Sequence, residues 1–180
     1  NSLKKKNILI VDHITKKKKK NLKKLKYKKI ENKETFLKKL SNGNYDNKIS
    51  VIFHYGACSD TTNTNWKYLY ENNFVYSKKL IKLAIKNKIK ILYASSASIY
   101  GLNADNQKEN SLNIKPINYY AKSKFLVDKF VKKIKSKYVI GLRFFNVYGE
   151  NELHKMKMMS PITKFYLDIK SKKKWKIFGE

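Results

Sequence analysis

Four short apolar runs, each followed by a stretch long enough to form a helix or a long connection, constrain this chain more than any other feature. They cover 7–12, 49–54, 89–94 and 138–144, each too short for a stable helix and apolar almost throughout. That is the pattern of a strand buried in a parallel sheet. Helices are predicted over 34–40, 65–88, 118–135 and 161–171, with a last short strand at 175–178. In the second helix Leu80, Ile81, Ala84 and Ile85 share a face; in the third Leu126, Val127, Phe130, Val131 and Ile134 repeat at helical spacing. The lysine-rich stretch 16–33 reads as irregular or loosely helical, and 42–47 and 102–116 read as loops. Strands alternating with helices predict an open α/β fold, a doubly wound parallel sheet with helices on both faces.

In such sheets ligands bind at the carboxyl ends of the strands. Those ends fall here at Asp12, 54–59, 95–101 and 146–149, and Ser96, Tyr120 and Lys124 converge on them. Tyr120 and Lys124 are four apart on one predicted helix, so they share a face one turn apart. A tyrosine titrates near pH ~10, and an adjacent ammonium favours its anion. Such a tyrosine exchanges a proton with a hydroxyl, while a serine holds the same oxygen. Alone, Tyr-x-x-x-Lys arises by chance in any helix rich in both residues. Here it follows Ser96 by 24 residues, behind a strand that ends Ala94-Ser95-Ser96.

Charge points elsewhere at first. The chain carries 42 Lys+Arg against 13 Asp+Glu, a formal net charge of +29. Lysine clusters bind phosphate backbones by releasing counterions. Yet 41 of those cations are Lys and one is Arg143, the type best suited to bidentate phosphate and base contacts. Lys, Asn, Ile, Tyr and Phe together fill 100 of 180 positions, and all five are written with A/T-rich codons. The charge is therefore expected to reflect base composition, with most lysines on a solvated surface and no nucleic-acid partner. No apolar run reaches the ~18 residues of a membrane span, so no membrane partner is expected. The single Cys58 excludes a disulfide framework and fits a reducing, cytoplasmic setting. His13, His54 and His154 show no ligand spacing, so no metal is expected.

Five segments then combine: Tyr55-Gly56-Ala57-Cys58-Ser59, Asn72-Asn73, Ala94-Ser95-Ser96-Ala97, 120–126 with its Tyr-Ala-Lys-Ser-Lys core, and 143–149 with Arg-Phe-Phe-Asn-Val-Tyr-Gly. Together they resemble an extended short-chain dehydrogenase/reductase of the NAD-dependent epimerase/dehydratase family, from residue 7 to the end. More narrowly, 56–62 followed by Trp66-Lys67-Tyr68, and Gly149 followed by His154-Lys155, are similar to the branch that inverts carbon 6 of an ADP-linked heptose for lipopolysaccharide core. Other sugar-nucleotide epimerases and dehydratases share the Ser/Tyr/Lys set, and a basic nucleic-acid module or an inactive remnant are the remaining alternatives.

The resemblance implies a Rossmann-like domain over 1–149, a partial substrate-binding region over 150–180, NADP or NAD as cofactor, an ADP-heptose substrate and a homo-oligomer such as a pentamer. Inversion needs an acid/base on each side of the sugar. Tyr120 is implied as one, oriented and acidified by Lys124 and assisted by Ser96; Lys155 is implied as the other. Bringing Tyr120 near neutrality asks for a fall of roughly three pH units, about 4 kcal/mol, from Lys124 and a cationic nicotinamide ring. The implied cofactor contacts are Asp12, His13, one of Lys18 and Lys19, Lys33, Tyr55, Gly56, Ala57, Cys58, Ser59, Asn72, Lys124, Val147 and Lys155. The implied substrate side is Ser96, Asn146, His154, Lys157, Lys164 and Phe178. His13 stands where the family usually has Asn, Lys164 where some members have His, and Glu150-Asn151 where Pro-Arg is common. A Gly-x-x-Gly-x-x-Gly turn, which would meet the pyrophosphate, is expected to precede Asn7, and more of the substrate lobe to follow Glu180. The 180 residues alone are therefore expected to bind dinucleotide poorly.

Overall fold

The computed structural model describes residues 7–13, 15, 21–23, 25–102, 108–109, 115–149 and 152–171, apart from the side chains of His154 and Lys157. The expected strand at 175–178 lies outside the described residues. The chain forms two compact units, Asn1–Arg143 and Phe144–Glu180.

The first unit is built on parallel strands. Strand β1 (Leu9–Val11) pairs with β2 (Lys29–Glu31), and β3 (Val51–His54) pairs with β4 (Lys90–Ser96), which neighbours β5 (Val139–Phe144). Helix α1 (Lys33–Ser41) follows β2 and is capped by Asn32, whose side chain accepts from Glu34 N at 2.8 Å. The long helix expected over 65–88 is a continuous helical stretch with an interruption of pitch. It begins as α2 (Trp66–Leu69), widens to a π-helical segment (Tyr70–Val75) and continues as α3 (Tyr76–Lys86). Helix α4 (Tyr119–Ile134) starts at Asn118, which accepts from Ala121 N at 2.8 Å, and ends with Lys135 in the left-handed conformation.

Strand β2 corrects the irregular reading of 16–33. It is three residues long, and its apolar content is Ile30 alone. What holds it is a buried carboxylate, Glu31, 6% exposed, which accepts from Lys39 Nζ at 2.5 Å, Tyr45 Oη at 2.5 Å and Lys29 Nζ at 3.1 Å. Hydrophobic periodicity carries no trace of such an element.

Ile91 and Tyr93 of β4 meet Leu80, Ile81 and Ala84 of α3, Val127 of α4, and Phe36 and Leu40 of α1 in one core. The other face of β3 carries Val51 and Phe53, the latter 58% exposed. Among the described residues β1 and β3 belong to separate sheets, and a cavity of 1770 Å³ lies between them.

In the second unit a 3-10 segment (Leu153–Met158) leads to α5 (Pro161–Lys170), with Ser160 as N-cap and Pro161 in the first turn, where its missing N–H costs nothing.

Candidate active site

Strand β4 delivers Ser96 to the end of the sheet, and the first two turns of α4, capped by Asn118, carry Tyr120 and Lys124. Ser96 caps the 3-10 turn Ala97–Tyr100 by accepting from Ser98 N at 3.2 Å. It also hydrogen-bonds Tyr120. The Lys124 ammonium, 8% exposed, donates to Ala94 O at 2.9 Å and lies 5.9 Å from the centre of the Tyr120 ring. Burial pulls Lys124 down to about 8, against the opposing pull of Asp128 and Cys58. Burial likewise raises Tyr120 above an ordinary tyrosine; the bond to Ser96 opposes this and Cys58 adds to it. Tyr120 therefore stands as a protonated hydroxyl at neutral pH. The direction is opposite to the acidification the chemistry asks for.

The opposite wall is the loop after β3. Asn73, 1% exposed and inside the π-helical segment, accepts from Cys58 N at 2.9 Å and donates to Cys58 O and Ser123 Oγ, both at 3.0 Å. Ser123 Oγ in turn donates to Tyr120 O at 2.7 Å. One amide thus ties the 56–59 loop to the first turn of α4, and π-helical segments recur at such positions because they redirect one side chain. His54 is held neutral: burial, and then the charge of Lys124, press it down to about 4, and its Nε2 lies 2.7 Å from Ser77 Oγ.

Comparison with known proteins fits this arrangement. Residues 2–180 match the model of the NAD dependent epimerase/dehydratase family. The chain belongs to that family. It is 40% identical over 179 residues to an ADP-L-glycero-D-manno-heptose-6-epimerase of Brachyspira hyodysenteriae, covering 96% of this chain and 56% of the relative. The crystal structure of a Helicobacter pylori ADP-L-glycero-D-manno-heptose-6-epimerase superposes with TM-score 0.77 at 29% identity, over 92% of this chain and 55% of that one. The Bordetella bronchiseptica enzyme WbmG, solved in complex with NAD and UDP, gives TM-score 0.72 at 26% identity, over 94% and 53%. The chain spans little more than half the length of these relatives.

The family's cofactor would meet residues that the first unit gathers around its cavity. Asp12, His13, Lys33, Gly56, Ala57, Cys58 and Asn72 all line it. Lys33 Nζ donates to Asn72 Oδ1 at 2.6 Å and stands 5.2 Å from the Tyr76 ring centre. A Cβ built on Gly56 meets nothing within 4 Å, so a ligand has access to that backbone. The volume exceeds the roughly 300–1,000 Å³ of an ordinary ligand pocket. The residues present fit the group. Tyr55, 48% exposed, and Ser59 belong to the same loop but are not among the residues lining the cavity. Lys18 and Lys19 lie outside the described residues.

The remaining expected residues belong to the second unit. Asn146 and Val147 are exposed in the segment after β5. Lys155 Nζ donates to Glu152 Oε1 at 3.1 Å, and Lys164 lies on α5. The side chains of His154 and Lys157, and all of Phe178, lie outside the described residues.

Sequence reasoning gave no role to several buried polar residues, among them Asp128, Glu152 and Asn73, the last quoted only as part of a resembling segment. Glu152 accepts from Ser160 Oγ at 2.7 Å, from Thr163 Oγ1 and from Lys155, and these bonds bring its carboxyl down to about 2 despite burial. A signal existed for Asp128, the one acidic residue of α4, four positions after Lys124 on the apolar face.

Proposed function

We propose that the full-length protein is an NADP-dependent epimerase that inverts carbon 6 of the heptose in ADP-D-glycero-D-manno-heptose, for lipopolysaccharide core. The observation that carries the chemistry is the convergence of Ser96, Tyr120 and Lys124 at the end of β4. Similarity to two heptose epimerases supports the substrate. The dinucleotide, when bound, supplies hydride acceptance and return at the sugar carbon. Tyr120 Oη moves the proton of the hydroxyl on that carbon, and Ser96 Oγ holds the same oxygen. Lys124 Nζ, fixed by Ala94 O, sets a positive charge beside the ring and so works against the burial that keeps Tyr120 protonated. Lys155, an ammonium held by Glu152, is the proton donor assigned to the other face of the sugar. Asp12, Lys33, Asn72 and the 55–59 loop are assigned to the dinucleotide, and the family resemblance assigns Asn146, His154, Lys157, Lys164 and Phe178 to substrate binding. A cytoplasmic homo-oligomer that binds neither nucleic acid nor membrane completes the reading; no helix among the described residues is long and apolar enough to cross a membrane.

A second reading, a UDP-sugar epimerase or dehydratase, is favoured by the neighbour solved with NAD and UDP. Incubating full-length protein with ADP-heptose and with UDP-sugars, and resolving the epimers chromatographically, separates the two. Turnover of ADP-heptose alone is expected, and turnover of UDP-sugars alone overturns the first reading. Tyr120→Phe is expected to cost about 10²–10⁴ in kcat, and an unchanged rate removes Tyr120 from the mechanism.

A further inference from the structure

Behind the reacting groups lies a buried carboxylate to which the proposed chemistry gives no role. Asp128 stands one helical turn beyond Lys124 and two beyond Tyr120 on α4, and it is 8% exposed. Its Oδ1 accepts from Tyr93 Oη at 2.9 Å, and its Oδ2 accepts from Ser95 Oγ at 2.9 Å and Arg143 Nε at 3.0 Å. Arg143 also donates through Nη1 to Tyr100 Oη at 3.1 Å and Lys108 O at 3.2 Å, with its guanidinium 5.0 Å from the Tyr100 ring centre. One side chain therefore joins α4, the end of β4 next to Ser96, and β5.

Holding three elements together does not by itself require charge, since a buried ion pair is often replaceable by apolar residues at no loss of stability. Placement beside Lys124 does give the charge a task. The Lys124 ammonium is buried against a neutral carbonyl, Ala94 O, and needs a countercharge to stay protonated.

We propose that Asp128 is a positioning residue: held by Tyr93, Ser95 and Arg143, it keeps Lys124 charged beside Tyr120 and fixes the strand end that carries Ser96. The proposal rests on the reading of Ser96, Tyr120 and Lys124 as the reacting set. Among the described residues, the groups around the ammonium are Tyr120 and Asp128 on α4, His54 on β3 and Cys58 in the loop after it; Tyr93 of β4 and Arg143 of β5 act on it through Asp128. Asp128 is the carboxylate among them. His54 is neutral, and Arg143 works in the opposite direction to Asp128. Charge on Lys124 is lost as pH rises, so the pair sets where activity falls on the alkaline side.

The test uses the full-length protein with Asp128→Asn, which keeps the shape, and Arg143→Gln, which removes the opposing cation. The Lys124 ammonium is followed by NMR of ¹³C-labelled lysine, assigned by its loss in Lys124→Met, beside kcat against pH. Asp128→Asn is expected to make Lys124 titrate about one pH unit lower. That lowers kcat about fivefold at pH 8 and leaves it nearly unchanged at pH ~6. Arg143→Gln is expected to move both the titration and the alkaline limb the other way. If both variants lose only thermal stability, with titration and limb unmoved, Asp128 is a structural clamp and the proposal is overturned. If Asp128→Asn does not fold, the upward shift in Arg143→Gln decides alone, and its absence counts against the proposal. Shifted titrations in a protein that leaves ADP-heptose unchanged would sink the substrate reading and keep this one.

Discussion

Only 13 residues of this chain are acidic, and among the described residues three of them, Glu31, Asp128 and Glu152, are buried among basic or hydroxyl donors. Burial raises a carboxyl, but at Glu31 the bonds from Lys39, Tyr45 and Lys29 outweigh it and hold the group at about 2. Tyr45 responds in kind: burial, and then the Glu31 charge, push its hydroxyl up to about 12. A depressed carboxyl stabilises the fold fully above its ordinary value near 4.5 and loses that contribution as pH falls towards 2. Glu31→Gln is therefore expected to be less stable than the parent at pH 7, with the gap closing as pH falls from about 4.5 to 2. Urea unfolding at pH 7, 4 and 3 measures it, and an equal gap at all three would show that the charge on Glu31 contributes nothing. Glu31 leaves no such signal in the sequence as Asp128 does, because its partners Lys39 and Tyr45 are distant in the chain and lysines are common throughout. Which lysines meet Glu31 is decided by the β2–α1 connection.

At the scale of elements, legibility followed length. The apolar faces of α3 and α4 are marked over three and four turns, and Tyr120 and Lys124 lie on one of them at helical spacing. Strand β2 rests on a single apolar residue and a buried acid, and the π-helical segment on one buried amide, Asn73; neither leaves a periodic trace. Packing of β5 against β4 is equally silent. A Cβ on Gly141 would lie 2.5 Å from Tyr93 Oη and 2.6 Å from its Cζ, and that ring is buried and bonded to Asp128. The ring cannot swing away without giving up the bond. Gly141→Ala is expected to cost about 1–3 kcal/mol, read by denaturant midpoint. Pairing it with Tyr93→Leu, which removes the obstructing ring, is expected to recover part of that loss. A cost that persists in the double variant would place the strain elsewhere.

At the scale of the molecule, +29 from 42 basic and 13 acidic residues means that most lysines have no acid to meet. Charge of one sign destabilises a compact state by self-repulsion, and salt screens it, with a Debye length near 30 Å at 0.01 M and 10 Å at 0.1 M. Helix α3 shows the local form of this: Lys79, Lys82 and Lys86 are exposed along it, with Lys82 and Lys86 four apart, where like charges oppose the helix. Lys82→Glu puts a carboxylate four residues before Lys86, the favourable order for a pair, which by itself is worth about 0.3–0.5 kcal/mol. If the surrounding lysines act as a common field, reversing one charge also relieves repulsion from many others. The gain at 0.01 M salt is then expected to exceed the pair value, reaching about 1 kcal/mol, and to shrink towards it above 0.3 M. Thermal unfolding of the full-length parent and variant across that salt range reads the difference directly. A gain that stays at the pair value at every ionic strength would mean that each lysine is solvated independently. The charge would then be neutral to the fold as well as to the proposed chemistry.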